Sequence, residues 1–387
     1  MNSKDRILNA LQRKPVDHIP LWMRFWPLGE QNHLPFSWQD QKLRAEYLTG
    51  RSVDDVLMLE PPLGYVENYN PGQLAGINTS VQLTPASDNF SAPVLVKEYK
   101  TSAGSLLQAV RLDADWPYGN DIHLFDDLNI PRYVEPVIKT AADLPALVQL
   151  LGDPSPEQLA QFEEEAGVLR NAANRLGIAL EGGMTALGDA AVWLCGMEQV
   201  MVAQLDDPVF VEQVLDVLVE WELKHIDRLA QAGVDFISHM AWYEGTDFWT
   251  PRCFRRLLKP RLARLIERAH AHGLPFRYII TRGWKPIQND LLELQIDCLS
   301  GVDPVQDHVD LAQAKAKLGG QMCLMGGVNS AISLSQSTDE EIRQEVSLAV
   351  RTLGPGGGFI LYPVDAIFTN QPWEKVEVLI DQWKSLW

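Results

Sequence analysis

At 387 residues with 46% hydrophobic content, the chain can bury a large core, and one barrel-sized domain with insertions fits it as well as two smaller domains. A formal charge of −18 with no cluster of Lys and Arg argues against nucleic acid as a partner. No apolar run approaches the length of a membrane span, MNSKDRILNALQRK reads as a short amphipathic helix rather than a signal peptide, and Cys195, Cys253, Cys298 and Cys323 are widely spaced, so a soluble, cytoplasmic protein with reduced thiols is expected.

Residues 4–14 place Ile7, Leu8 and Leu11 on one helical face, and Pro15 with Pro20 ends that segment. HIPLWMRFW (18–26) is the first strand candidate, with Arg24 at its carboxyl end, and VDDVLMLEPP (53–62) is the second, ending at Glu60. LVKEYKTSAGSLLQAVR alternates about a glycine turn and predicts an inserted β-hairpin, within an insertion spanning about 63–150. Beyond it, the segment to about 135 has no clear period.

Ser155 and Pro156 start a helix reaching about Arg175, followed by a third strand, GIALEGGM (177–184), with Glu181 near its end. Asp207 and Pro208 cap the next helix, and VDFISHM (234–240) is the fourth strand, with His239 at its end and Trp242, Tyr243 and Glu244 close behind. Thr250 and Pro251 open a long basic helix. Four apolar runs follow, at 276–280, 297–301, 322–327 and 359–363, broken by Thr281, Arg282 and Gly283, by Asp303 and Gln306, by Asn329 and by Asp365. Thr338 and Glu341 form a capping box before the last long barrel helix. Eight strands, most followed by a helix, predict a (β/α)8 TIM barrel over 1–387 with an N-terminal helical extension, and place chemistry at the carboxyl ends of its strands.

The opening RILNALQRKPVDHIPLWMR, the hairpin ending TSAGSL, GVDFI, TPRCFRRLLKPRL and the closing DPVQD, LGGQMCLMGGVNSA, GPGGGFIL and QPWEKVEVLI together resemble the uroporphyrinogen decarboxylase superfamily, which also contains cobalamin-dependent methyltransferases. The resemblance covers nearly the whole chain and implies the barrel. For the decarboxylases it implies substrate-binding arginines near the amino terminus. Arg24 matches the first, the second falls in FWPLGE where there is none, Asp55 lies near the position of a family aspartate, and the family's histidine after the last strand falls near Asp365. For the methyltransferases it implies a zinc site of His-x-Cys after the fifth strand and Cys after the eighth. Those positions read Ile280, Arg282 and Asp365, so a thiol-activating zinc site is not expected.

Arg282 and Asp365 are candidates to orient a substrate carboxylate, or else only to close the barrel mouth. His239 with Glu244 is a candidate acid–base group, its alternative being a hydrogen-bonded structural histidine. Glu60 and Glu181 are a candidate acid and base or two loop anchors, and His239, Glu181 and Asp365 offer hard donors whose spacing demands no metal. Gly326, Gly327 and Asn329 either admit a ligand to the backbone or form the turn after the seventh strand. His270 and His272 read as inert surface residues. Trp22, Trp26, Trp242, Trp249 and Trp284 near strand ends, with Tyr243, favour a flat or apolar substrate, or pack the loops against one another. The expected function is methyl transfer between a small aromatic or amine substrate and a corrinoid on a partner protein. Decarboxylation of a porphyrinogen-like or smaller acid and a non-catalytic docking barrel are the alternatives, and a homodimer is an expectation of the family.

Overall fold

The computed structural model describes residues 1–27, 32–63, 72, 74–86 and 92–387. Its centre is a parallel sheet whose strands run in the spatial order Phe359–Val364, Cys323–Asn329, Cys298–Val302, Phe276–Ile279, Phe236–Met240, Ala179–Ala186 and Val56–Leu59. These are the eighth down to the second strands of the sequence reading, each next to its neighbour in chain order, as right-handed β–α–β crossovers demand. The sheet curls into a TIM-barrel-like α/β fold. Long helices such as Pro156–Leu176, Pro208–Ala232 and Asp339–Leu353 bury their apolar faces on its outside.

The first strand is shorter than the sequence suggests. Leu21 makes a single parallel bridge to Leu361, and Phe25–Trp26 pairs separately with Ile367–Phe368. Pro20 cannot donate to a ladder, so only its carbonyl pairs, accepting from the Leu361 N–H (2.9 Å). On its other side the segment meets the second strand through a side chain, the Leu21 N–H donating to Asp54 (3.2 Å).

The amino-terminal helix, Ser3–Leu11, plugs the bottom of the barrel. Ile7, Ala10 and Leu11 pack against Val56, Ala179, Phe236, Cys298 and Cys323, the first residues of five strands. Arg6 ties the plug down, bonding Asp17 (2.7 Å) and the buried Asp54 (2.6 Å). Because Arg6 is shared, burial dominates at Asp54 and lifts its carboxyl to about 6, whereas Asp17 is held well below the carboxylate range.

The predicted hairpin, Val94–Thr101 with Gly104–Arg111, is the middle of a four-stranded antiparallel sheet completed by Asn78–Thr84 and Tyr133–Glu135. Within the insertion, residues 64–71, 73 and 87–91 lie outside the described residues. The third and seventh strands each run two residues further than expected, to Ala186 and Asn329. Thr185 and His239 are inside the third and fourth strands, Glu181 is mid-strand, and Gly326, Gly327 and Asn329 are inside the seventh instead of the turn beyond it.

Candidate active site

Strand alternation divides the predicted residues between two sides of the barrel wall. On the fourth strand Phe236 and Ser238 face the lumen, where Phe236 meets Trp22 and the Ser238 hydroxyl donates to Glu181. Ile237 and His239 therefore point outward. His239 is fully buried there, with Nδ1 2.8 Å from Thr185 Oγ1 and Nε2 3.0 Å from Glu244 Oε1. Its ring stacks on Tyr278, its register partner, whose hydroxyl donates to Glu244 Oε2 (2.7 Å), and Glu244 also accepts the Gly188 N–H (2.8 Å). Both ring nitrogens are engaged and the ring has no path to the lumen, so the pattern is that of a buried strut.

The carboxyl rim carries a different group. Asp365 follows the eighth strand with φ of +79°, a left-handed conformation uncommon for a non-glycine residue. Burial raises its carboxyl above the usual range, the charge of Arg24 opposes that rise, and Asp303 adds to it. The Tyr362 hydroxyl donates to the Asp365 carbonyl (2.5 Å). The Arg24 guanidinium lies between two indoles, 5.0 Å from the ring centre of Trp26 and 5.3 Å from that of Trp242. Trp242, Ile279, Thr281, Ser300, Gly301, Tyr362, Val364 and Asp365 line a narrow cavity at this rim.

Other predicted residues lie around this centre. Arg282 is exposed and pairs with Asp247 (3.5 Å) on the neighbouring loop, so the cation acting on Asp365 is Arg24. The Glu60 carboxylate occupies the space a side chain on Gly183 would fill. Tyr243 donates its hydroxyl to Asp127 (3.1 Å), whose carboxyl is also raised by burial. Trp284 is buried among core residues. Asn329 is fully buried, donating to Asp303 (2.7 Å) and Gln306 (3.2 Å) and accepting from the Ile332 N–H (2.7 Å), so it clamps the loop after the sixth strand. Asp55, at the amino end of the second strand, accepts from Arg44 (2.9 Å).

The sequence reading passed over Arg277. It is buried in the lumen on the fifth strand, with its guanidinium 4.2 Å from the ring centre of Trp22 and Nη2 3.2 Å from Glu181. The available signal was an arginine at an inward position of an otherwise apolar strand, FRYII.

Among the described residues no group of three or more His, Cys, Asp or Glu side chains is disposed to hold a metal ion. With Ile280, Arg282 and Asp365 at the positions where the methyltransferase branch has soft donors, these residues do not fit a thiolate-activating zinc site. No described helix is long and apolar enough to cross a membrane.

The family profile described as uroporphyrinogen decarboxylase (URO-D) matches residues 117–386. The chain belongs to the uroporphyrinogen decarboxylase family. Within it, this member is 23% identical over 204 residues to methylcobamide:CoM methyltransferase MtaA of Methanosarcina barkeri, a match spanning 52% of this chain and 57% of that protein. It is 24% identical to uroporphyrinogen decarboxylase of Cellvibrio japonicus over 92% of this chain and 89% of the relative. Among solved structures, a methyltransferase from Methanosarcina mazei superposes with a TM-score of 0.59 at 18% identity, covering 100% of this chain and 99% of the other. A B12-independent methionine synthase from Shewanella sp. gives 0.52 at 11% identity over 95% and 96% of the two chains. These likenesses agree with the barrel. The chain is an enzyme of the uroporphyrinogen decarboxylase superfamily, either a methyltransferase or a decarboxylase.

Proposed function

We propose that this enzyme removes a methyl group from a small aromatic ether or amine at the barrel rim, with Asp365 as the proton donor to the leaving atom. The observation that supports this is the raised carboxyl of Asp365 beside Arg24, in a cavity walled by Trp242 and Tyr362. A methyl ether or amine is a poor leaving group unless its oxygen or nitrogen gains a proton or a Lewis acid as the bond breaks. A carboxyl whose burial favours the protonated form, as at Asp365, is suited to give that proton.

A reduced corrinoid on a carrier protein would supply the nucleophile that takes the methyl carbon. The work of this chain is positional and protonic. Trp242 and Tyr362 wall the cavity and give a flat substrate apolar surface to lie against. Asp365 passes its proton to the leaving oxygen or nitrogen and becomes an anion, which the neighbouring Arg24 charge stabilises until solvent at the rim returns the proton.

Decarboxylation is the second reading, favoured by relatives of that name along 89–95% of their length. There Arg24 would hold the departing carboxylate, and Asp365 would protonate the carbon left behind. One experiment separates the two. Purified enzyme is incubated without oxygen with a panel of methoxybenzenes and N-methylanilines and reduced cobalamin, and the cobalamin spectrum is followed beside carbon dioxide release from aromatic acids. Methyl transfer predicts a substrate-dependent spectral change that fails in Asp365→Asn. Carbon dioxide release that needs no cobalamin would replace it with the decarboxylase reading.

A further inference from the structure

Arg277 is an ion buried in the barrel lumen with only part of its hydrogen-bonding capacity used. It is 4% exposed, Nη2 meets Glu181 at 3.2 Å, and its Nε and Nη1 have no partner. A buried donor left without an acceptor costs about 1–3 kcal/mol, and more on a charged group, so such an arrangement calls for an acceptor that the polypeptide does not supply. Glu181 is already shared, because the Ser238 hydroxyl donates to the same oxygen that meets Arg277.

The position relates directly to the rim cavity. Ile279 and Thr281 line that cavity, and Arg277 is the next lumen-facing residue down the same segment, about 6–7 Å below Ile279. Across the wall Ser300, the register partner of Ile279, lines the cavity as well, and Cys298, the partner of Arg277, is apolar and buried. Tyr362 stands between the levels, since the charges of both Arg24 and Arg277 act on its hydroxyl. Between the rim, where Arg24 and Asp365 stand, and the guanidinium of Arg277, the cavity is lined by Ile279, Ser300, Gly301 and Tyr362, none of them charged. Glu181 and Trp22 hold the edge and face of that group, leaving the other N–H donors for a ligand.

We infer that Arg277 is a binding subsite for an acidic group at the inner end of the substrate, which makes the substrate class an aromatic carboxylate carrying its methyl group at the outer end. This rests on the reading of the rim as the reaction site, but its test needs neither cobalamin nor turnover. Benzoate and its neutral isostere benzamide are titrated into the enzyme by calorimetry. Benzoate binds at least about tenfold more tightly than benzamide to the wild-type protein, the contribution of one charge-assisted pair. Arg277→Gln brings the two within about twofold, and Arg24→Gln preserves the preference. Glu181→Gln keeps the arginine and removes a competing carboxylate, so benzoate tightens severalfold while benzamide is unchanged; this arm stands even if the Arg277 variant does not fold. Equal binding of the two probes by the wild type, a preference that survives Arg277→Gln, loss of the preference in Arg24→Gln alone, or no gain for benzoate in Glu181→Gln would each overturn the subsite, leaving those donors to ordered water.

Discussion

Arg24 and Asp365 come from opposite ends of the chain and share one joint of the barrel: the Ile367 N–H donates to the Arg24 carbonyl (2.7 Å), two residues after the aspartate. That bond and the parallel pairing of Phe25–Trp26 with Ile367–Phe368 bring a cation beside a carboxyl that burial has raised. If the carboxyl is the proton donor, Asp365→Asn lowers turnover by about 10²–10⁴-fold with the fold intact. In the wild type the rate falls as pH rises through the raised carboxyl value, because the donor is then ionised. That limb of the profile disappears in the variant, and pH–rate curves of both proteins check it.

His239 gives the opposite expectation. Replacing it with Leu deprives Glu244 of a neighbour at 3.0 Å and Thr185 of one at 2.8 Å, both inside the wall. A loss of about 2–3 kcal/mol in urea unfolding is expected. Turnover per folded molecule changes by less than about tenfold. A large fall in turnover at undiminished stability would return His239 to the catalytic candidates.

Asp54 makes the plug sensitive to pH. Its carboxyl is raised from 3.8 to about 6 by burial, so the folded state holds that proton more tightly than the unfolded chain. The sign follows: this group's contribution is fully present below 3.8 and is lost as pH rises through about 6. Urea midpoints should therefore decline across that window for this group, and Asp54→Asn flattens the decline. A wild-type profile with no such component, or an unchanged one in the variant, contradicts the assignment.

Gly301 is required where the sixth strand bulges between Ser300 and Val302. With φ of +122°, a methyl group there would stand 1.7 Å from the Ile280 carbonyl oxygen. Gly301→Ala is expected to cost about 3 kcal/mol, read as a lower melting temperature, and to narrow the rim cavity that Gly301 lines.

The strands were legible because each is a short apolar run closed by a polar or glycine break, and helix starts because Ser155, Asp207, Thr250 and Thr338 all accept the capping bonds their residue types favour. The side of the wall was harder. A strand carried two residues further than drawn, as in the third, makes Thr185 part of the wall instead of the rim. Arg282 looked like the cation of the mouth because it follows the fifth strand, yet its nearest acid is Asp247 on the adjacent loop, a pairing set by how two loops pack and invisible in spacing. Likewise His270 and His272 are engaged, with Asp297 at 2.7 Å and Asp227 at 2.8 Å. Arg277 escaped notice because its partner is on the third strand, two strands away in the sheet.

The helix packed beneath the strands makes the lumen a cup with one door. Ile7, Ala10 and Leu11 close the lower end, so the rim cavity beside Trp242 lies at the end of the barrel opposite the plug. If the rim is the reaction site, substrate and product share that one side, and release of one must precede entry of the next.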